Sequence, residues 1–339
     1  MVANAVSQPE TEETRGLRHM LEHLVVKGQD RLLDRRLEAK GLTLTATTTR
    51  DYMVIQITGP QEHLDDAIAG MKEITLPISV TQEEIDKEAK ILAEELALRP
   101  FFAFLFDSAW SAGFGDKGIS AFGDEAAWKI ASPEILKAIH AQQFSAPNLT
   151  VAVVGRVNVE PTMRKLSEAF RGTPGSGPRR TITRAFLRDE PRGEAMVTGE
   201  AIGVSVGGLN DGGIVPQMAA GFALASRFPG LEVLYTPSFA PGMVVLATQD
   251  QGVTIQIERL PEVEKNALFR EGLAIAGAWV SGLQNTPDRY ARIKAIGMAG
   301  ASGFDPAQLT RQLSQLTPSR FSAAMNRFSS VTATRVERR

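Results

Sequence analysis

The residues whose types and spacing could do chemistry are His19, Glu22 and His23, in the run His19-Met-Leu-Glu-His23. On a helix, positions i and i+4 share a face with Cβ atoms about 5–6 Å apart, so two imidazoles can reach one tetrahedral ion. Glu22, at i+3 from His19, lies on the same side. Zinc lowers the pKa of a coordinated water to about 7, and a neighbouring carboxylate can take its proton as it attacks a carbonyl. The order H-x-x-E-H is the reverse of the H-E-x-x-H arrangement of other zinc hydrolases. The chain contains no cysteine, which excludes thiolate zinc sites, disulfides and cysteine nucleophiles. Any metal must be held by nitrogen and oxygen. His63 and His140 have no partner at useful spacing and read as structural or surface residues.

A catalytic zinc needs a third protein ligand and an open position. Glu83, Glu84, Glu88, Glu94 and Glu95 are all candidates. Glu88 and Glu95 stand two helical turns apart and point the same way, flanked by Ile85, Leu92 and Leu96. A carboxylate turned towards a core needs a partner, and a metal is one of few adequate ones. Spacing alone leaves the choice among these glutamates open.

The elements that must position these groups are legible in outline. Leu17, Leu21 and Leu24 predict a helix over Gly16–Lys27 that stops at Gly28. Thr43–Thr58 predicts one or two strands, and His63–Glu73 a helix. Thr81-Gln-Glu-Glu84 is a capping box opening a helix to about Leu98, before Pro100. Ser132-Pro133 starts another helix, through about Gln143. Leu149–Val157 reads as a buried strand and Val159–Phe170 as a helix. Further on, Val197–Val206 and Met243–Leu260 read as strands, with helices near Pro216–Ser226, Pro261–Gly282 and Pro287–Gly297. Gly207–Gly213 lacks the lysine of a phosphate loop and reads as a turn. The mixture implies an α+β sandwich rather than a doubly wound sheet.

Length and composition set the wider frame. The 339 residues, 43% hydrophobic and 22% charged, suit a soluble globular chain of two domains. The run Gly172-Thr-Pro-Gly-Ser-Gly-Pro178 reads as a linker. It divides the chain into a zinc-binding domain at 1–171, a linker at 172–188 and a second domain at 189–339. No sequence repeat relates the halves. A net charge of −2 with scattered basic residues gives no reason to expect nucleic acid or an anionic membrane as partner. No apolar run spans a bilayer and the start has no signal-peptide pattern, which suits a cytoplasmic chain or a processed periplasmic one.

Several blocks together resemble the pitrilysin/insulinase (M16) metallopeptidases. Gly16-Leu-Arg-His-Met-Leu-Glu-His-Leu-Val-Val-Lys-Gly28 is similar to the motif block of that family. Gly41–Tyr52 resembles its strand block, Glu88-Ala-Lys-Ile-Leu-Ala-Glu-Glu95 the block of the third ligand, and Pro147–Gly155 the strand that closes the half. The resemblance covers roughly Thr14–Phe170. It implies one Zn2+ held by His19, His23 and Glu95, Glu88 behind the ligands, and Glu22 as catalytic base. It also implies two α/β sandwich domains of the M16 (LuxS/metallohydrolase-like) type, the second shortened and divergent. Peptide substrate would add as a strand along Thr43, Thr45, Ala46 and Thr47. Family members build a chamber from two two-domain units, which implies a homodimer or a heterodimer with a related subunit. The sequence departs from the pattern in four places. His23 to Glu95 is slightly shorter than usual, Thr45 replaces an asparagine, and little precedes the motif. The substrate-polarising Arg and Tyr, normally seven apart, have Arg227 and Tyr235 as their nearest counterparts. The resemblance leaves open an alternative, a non-catalytic M16-like scaffold subunit.

Overall fold

The computed structural model describes residues 1–5, 10–175, 199–209, 211–239, 241–250, 252–300, 304–330 and 334–336. The chain divides into two units, and the class is α+β, as expected. One unit is built from Met1–Leu98, Ser120–Ile182 and Pro287–Ala299. The other is built from Arg99–Ile119, Thr183–Thr286 and Gly300–Arg339. From residue 176 the linker expected at 172–188 lies outside the described residues.

The first unit is organised on a hairpin rich in β-branched residues. β2 (Thr43–Thr48) pairs antiparallel with β3 (Tyr52–Thr58), from Thr43 opposite Thr58 to Thr48 opposite Met53. β1 (Val2–Asn4) lies between β3 and β4 (Leu149–Thr150), giving the order β2-β3-β1-β4. β2 is therefore an edge strand, and its residues alternate between exposed and partly buried. Around the sheet pack α1 (Leu17–Val25), α2 (Leu33–Glu38), α3 (Leu64–Ile74), α4 (Gln82–Ala97), α6 (Glu125–Trp128), α7 (Pro133–Gln143) and α8 (Val159–Ala169). Most of α13 (Pro287–Gly300) belongs here too. The core gathers Leu17, Met20, Leu21 and Leu24 of α1 with Met53, Ile55, Ile85 and Leu92. Thr81 caps α4 as the sequence predicts, with both hydrogen bonds of the capping box present.

The second unit repeats that order in a second four-stranded antiparallel sheet. β5 (Gly199–Val206) pairs with β7 (Gly242–Thr248) and β8 (Thr334–Val336), and β6 (Glu232–Tyr235) pairs with β7. The order is β6-β7-β5-β8. α5 (Phe101–Phe114) covers this sheet, setting Leu105, Ala109 and Trp110 against Ala201, Met243 and Val245. The remaining helices are α9 (Ile214–Arg227), α10 (Val253–Glu258), α11 (Glu262–Ala267), α12 (Phe269–Asn285), α14 (Ala307–Ser314) and α15 (Pro318–Ser330).

Two expected strands end early. The strand expected over Leu149–Val157 is laddered only at Leu149–Thr150, opposite Ala3 and Val2 of β1. The strand expected over Met243–Leu260 stops at Thr248. Gly252, at φ 87, then opens α10, whose Val253 and Ile257 are buried one helical turn apart. The three-residue β1 and the aromatic helix α5 were not foreseen. Among the described residues no helix is long and apolar enough to cross a membrane.

Candidate metal centre

α1 carries three of the four central side chains, and its start is fixed by a glycine contact. Gly16, at φ 83, is the N-cap residue. A Cβ there would come within 2.6 Å of the Phe122 carbonyl oxygen, and a Cβ on Gly123 (φ 87) within 2.6 Å of Gly16 Cα. Both positions therefore demand glycine for conformation and for space. Leu17, Met20, Leu21 and Leu24 anchor one side of α1 in the core. The other side turns His19, Glu22 and His23 towards α4.

α4 is laid down by its buried stripe of Ile85, Glu88 and Leu92. One turn further on, Glu95 reaches the histidines. His19 Nε2 lies 3.7 Å from Glu95 Oε2, and His23 Nε2 lies 3.6 Å from Glu95 Oε1. The three ligand atoms fall within 4.8 Å of one another. The Glu95 side chain is 44% exposed, so the cluster opens towards solvent on that side.

The three groups on α1 are each held from behind. His23 Nδ1 donates to Glu88 Oε2 at 3.3 Å, and Lys27 Nζ donates to the other oxygen of Glu88. His19 Nδ1 donates to the Phe122 carbonyl at 3.4 Å, and its ring packs 4.8 Å from the Phe122 ring. Thr48 Oγ1 donates to Glu22 Oε2 at 2.5 Å. Burial raises the Glu22 pKa above the ordinary carboxylate value, opposed in part by the Thr48 hydrogen bond and the His23 charge. Burial pulls His23 down, but the Glu88 hydrogen bond and the charges of Glu95, Glu22 and Glu88 outweigh it, leaving the imidazole raised. Glu88 is held low: burial opposes ionisation, and the hydrogen bonds from His23 and Lys27 overcome it.

This donor set fits a zinc ion. With Nδ1–H on both histidines engaged elsewhere, both Nε2 lone pairs face Glu95. The separations of 3.6 and 3.7 Å are too long for hydrogen bonds. They are close to the roughly 3.4 Å edge of a coordination tetrahedron with ligands about 2.1 Å from the ion. Two nitrogens and one carboxylate oxygen, with a solvent-facing side, would suit an open zinc site better than a calcium or magnesium cage.

The other residues singled out in the sequence fall in two places. Thr43, Thr45, Ala46 and Thr47 lie on the edge strand β2. Arg227 and Tyr235 lie in the second unit. Arg227 ends α9, 3.7 Å from Glu264 and over the Phe228 ring. Tyr235 ends β6, beside the Trp279 ring. Sequence reasoning passed over Thr48, Lys27 and Phe122. The first two carried a signal: Thr48 shares a face of β2 with Leu44 and Ala46, and Lys27 follows His23 at i+4. Phe122 carried none, since only the fold brings it to His19.

Comparisons with known proteins bear on the family and the fold rather than on these side chains. Residues 2–98 match the family model described as insulinase (peptidase family M16). Subunit 1 of the mitochondrial cytochrome b-c1 complex of Bos taurus is 22% identical over 183 residues, 51% of this chain and 38% of that protein. The aligned part thus spans well under half of that relative. A protease from Helicobacter pylori superposes with a TM-score of 0.81 over 98% of this chain and 91% of its own, at 15% identity. A peptidase M16 inactive domain from Pseudomonas fluorescens superposes with a TM-score of 0.71 over 96% and 87%, at 16% identity. At such identities the two structures speak for the fold alone.

Proposed function

We propose that this chain, whose residues 2–98 match the insulinase (M16) peptidase family model, is a zinc-dependent endopeptidase subunit. The observation that carries the reading is the convergence of His19, His23 and Glu95, with Glu22 beside them. When bound, zinc would supply an acidified water and polarise the scissile carbonyl. Glu22 then accepts a proton at its carboxylate and delivers it to the leaving amine. Its burial and raised pKa suit a group that must both take and return that proton. An extended peptide adds to the free edge of β2, where main-chain groups of Thr43, Thr45, Ala46 and Thr47 bind backbone without reading sequence. Glu88, anchored by Lys27, keeps His23 oriented.

Arg227 and Tyr235 remain the candidates for the pair that meets the substrate carbonyl. The pairing of Arg227 with Glu264 favours the version in which a second, related subunit supplies those groups. The chain would then act as a homodimer or a heterodimer that encloses the peptide. A second reading has its own support: one relative is subunit 1 of the mitochondrial cytochrome b-c1 complex and one fold neighbour is an M16 inactive domain. In that reading the chain is a non-catalytic partner of an active peptidase. Metal analysis followed by peptide cleavage, alone and with the related subunit, separates the two. One zinc per chain with cleavage abolished by Glu22→Gln supports the peptidase. Absence of zinc supports the scaffold.

A further inference from the structure

The two histidines are held by different means. Glu88, which orients His23, sits on α4 with Glu95, so that support belongs to the same helix as the third ligand. His19 is faced instead by a loop residue, Phe122, through both its carbonyl and its ring. We infer that Phe122 is a positioning residue for the metal ligand His19, fixing its tautomer and its ring plane. The inference rests on the zinc reading of the centre.

The loop is built to hold that carbonyl still. On one side of Phe122, its own amide donates to Ser120 Oγ at 3.2 Å. On the other, Gly123 is pressed against Gly16, and Asp124 pairs with Arg15 while capping α6 through the Ala127 amide at 3.0 Å. The carbonyl oxygen lies over Gly16, where any side chain would displace it. The Phe122 ring packs on the core of the first unit, so it is anchored away from His19 as well as against it. A carbonyl can only accept, so the proton sits on His19 Nδ1 and the Nε2 lone pair is left for the metal. The ring, tilted 57° to the imidazole, blocks the rotation that would turn Nε2 away. This gives the glycine before the motif a role beyond the helix start: it makes room for the oxygen that orients the first ligand.

The test compares zinc dissociation constants, by chelator competition, for wild type, Phe122→Ala and Phe122→Leu, alongside metal-free melting curves. Loss of an outer partner of a ligand typically weakens metal affinity 10–100-fold. Phe122→Ala is expected to weaken zinc binding about tenfold with the metal-free melt unchanged, and Phe122→Leu, which refills the space, to stay within about threefold of wild type. In the metal-free protein, long-range proton–nitrogen spectra should show His19 as the Nδ1–H tautomer. Unchanged zinc affinity in a folded Phe122→Ala overturns the inference and leaves the zinc reading standing. So does an Nε2–H tautomer in wild type, which decides the matter even if the alanine variant fails to fold. A wild type that binds no zinc overturns the zinc reading itself and this inference with it.

Discussion

The two units share a frame and differ in what its first helix carries. Both sheets run in the order second, third, first, fourth strand, and in both a helix follows the first strand. In the first unit that helix is α1, nine residues long, with His19, Glu22 and His23 turned to Glu95. In the second it is α9, fourteen residues long, with Ile214, Val215, Met218, Ala219, Ala220 and Ala223 buried. Its buried polar residue Gln217 donates to the Ala324 carbonyl at 3.0 Å rather than to any ligand. α12 packs so closely on α9 that a Cβ on Gly272 would fall 2.6 Å from the Ala219 carbonyl oxygen. The same fold thus serves in one place to aim a helix face at a partner carboxylate and in the other to fill a core. Fold alone does not decide chemistry; the side chains on one helix do.

The largest effect that probes this asymmetry is removal of a ligand. His23→Ala should release the zinc from the chain and abolish peptide cleavage, measured by metal content after dialysis and by peptide assay. Zinc retained at one per chain would mean that a metal sits elsewhere and that the second unit is not the inert copy. Glu22→Gln comes next. Loss of a general base typically costs 10²–10⁴-fold in rate, so turnover should fall by about that factor while zinc content stays at the wild-type level. Turnover within a few-fold of wild type would break the assignment of Glu22.

The entries to the two helices differ as much as their faces. Gly16 sits at positive φ against Gly123, whereas Gly213, the N-cap of α9, sits at φ −94 with nothing within 4 Å of its absent Cβ. Gly16→Ala combines a left-handed conformation with overpacking and should cost about 2–4 kcal/mol. Gly213→Ala should cost under about 1 kcal/mol. Urea unfolding of the two variants checks this, and equal losses would show that the close glycine contact does not govern the start of the motif helix.

Those contacts also explain what could be read in the sequence. The motif helix, the capped helix α4 and the hairpin follow from local rules: leucine spacing, a capping box, β-branched residues around a turn. Glu95 as the expected ligand, with Glu88 behind it, was drawn from five glutamates only by the resemblance, because spacing along one helix does not say which turn meets another helix. Phe122 lies about a hundred residues from His19, and nothing local in either segment announces the contact. The strand expected after Leu149 failed for a related reason: a run of valines has strand propensity, but a ladder needs a neighbour. The strand order common to the two units left no trace in the sequence, since it holds although α1 and α9 share no pattern.

The smallest predicted effect uses another asymmetry, the placement of histidine. All four histidines of the chain fall in the first unit and none in the second. His140 is 3% exposed and bonded through Nε2 to the Ile74 carbonyl at 3.1 Å, and burial holds its pKa below 6.5. The unfolded chain therefore binds the extra proton first as pH falls through about 6.5. The contribution of neutral His140 is present in full above that pH and is lost progressively below it, with a slope of at most about 1.4 kcal/mol per pH unit. His23, whose pKa is raised, works in the opposite sense, but it is common to wild type and to His140→Gln and cancels in their difference. Trp128 reports on the first unit, Trp110 and Trp279 on the second. In metal-free protein between pH 7 and 5, the urea midpoint read at Trp128 should fall more steeply for wild type than for His140→Gln. The midpoint read at Trp110 and Trp279 should have the same slope in both. Equal slopes at Trp128 would remove His140 as the acid-sensitive group, and coincident transitions at all three tryptophans would mean that the two units, alike in frame and unlike in chemistry, unfold as one.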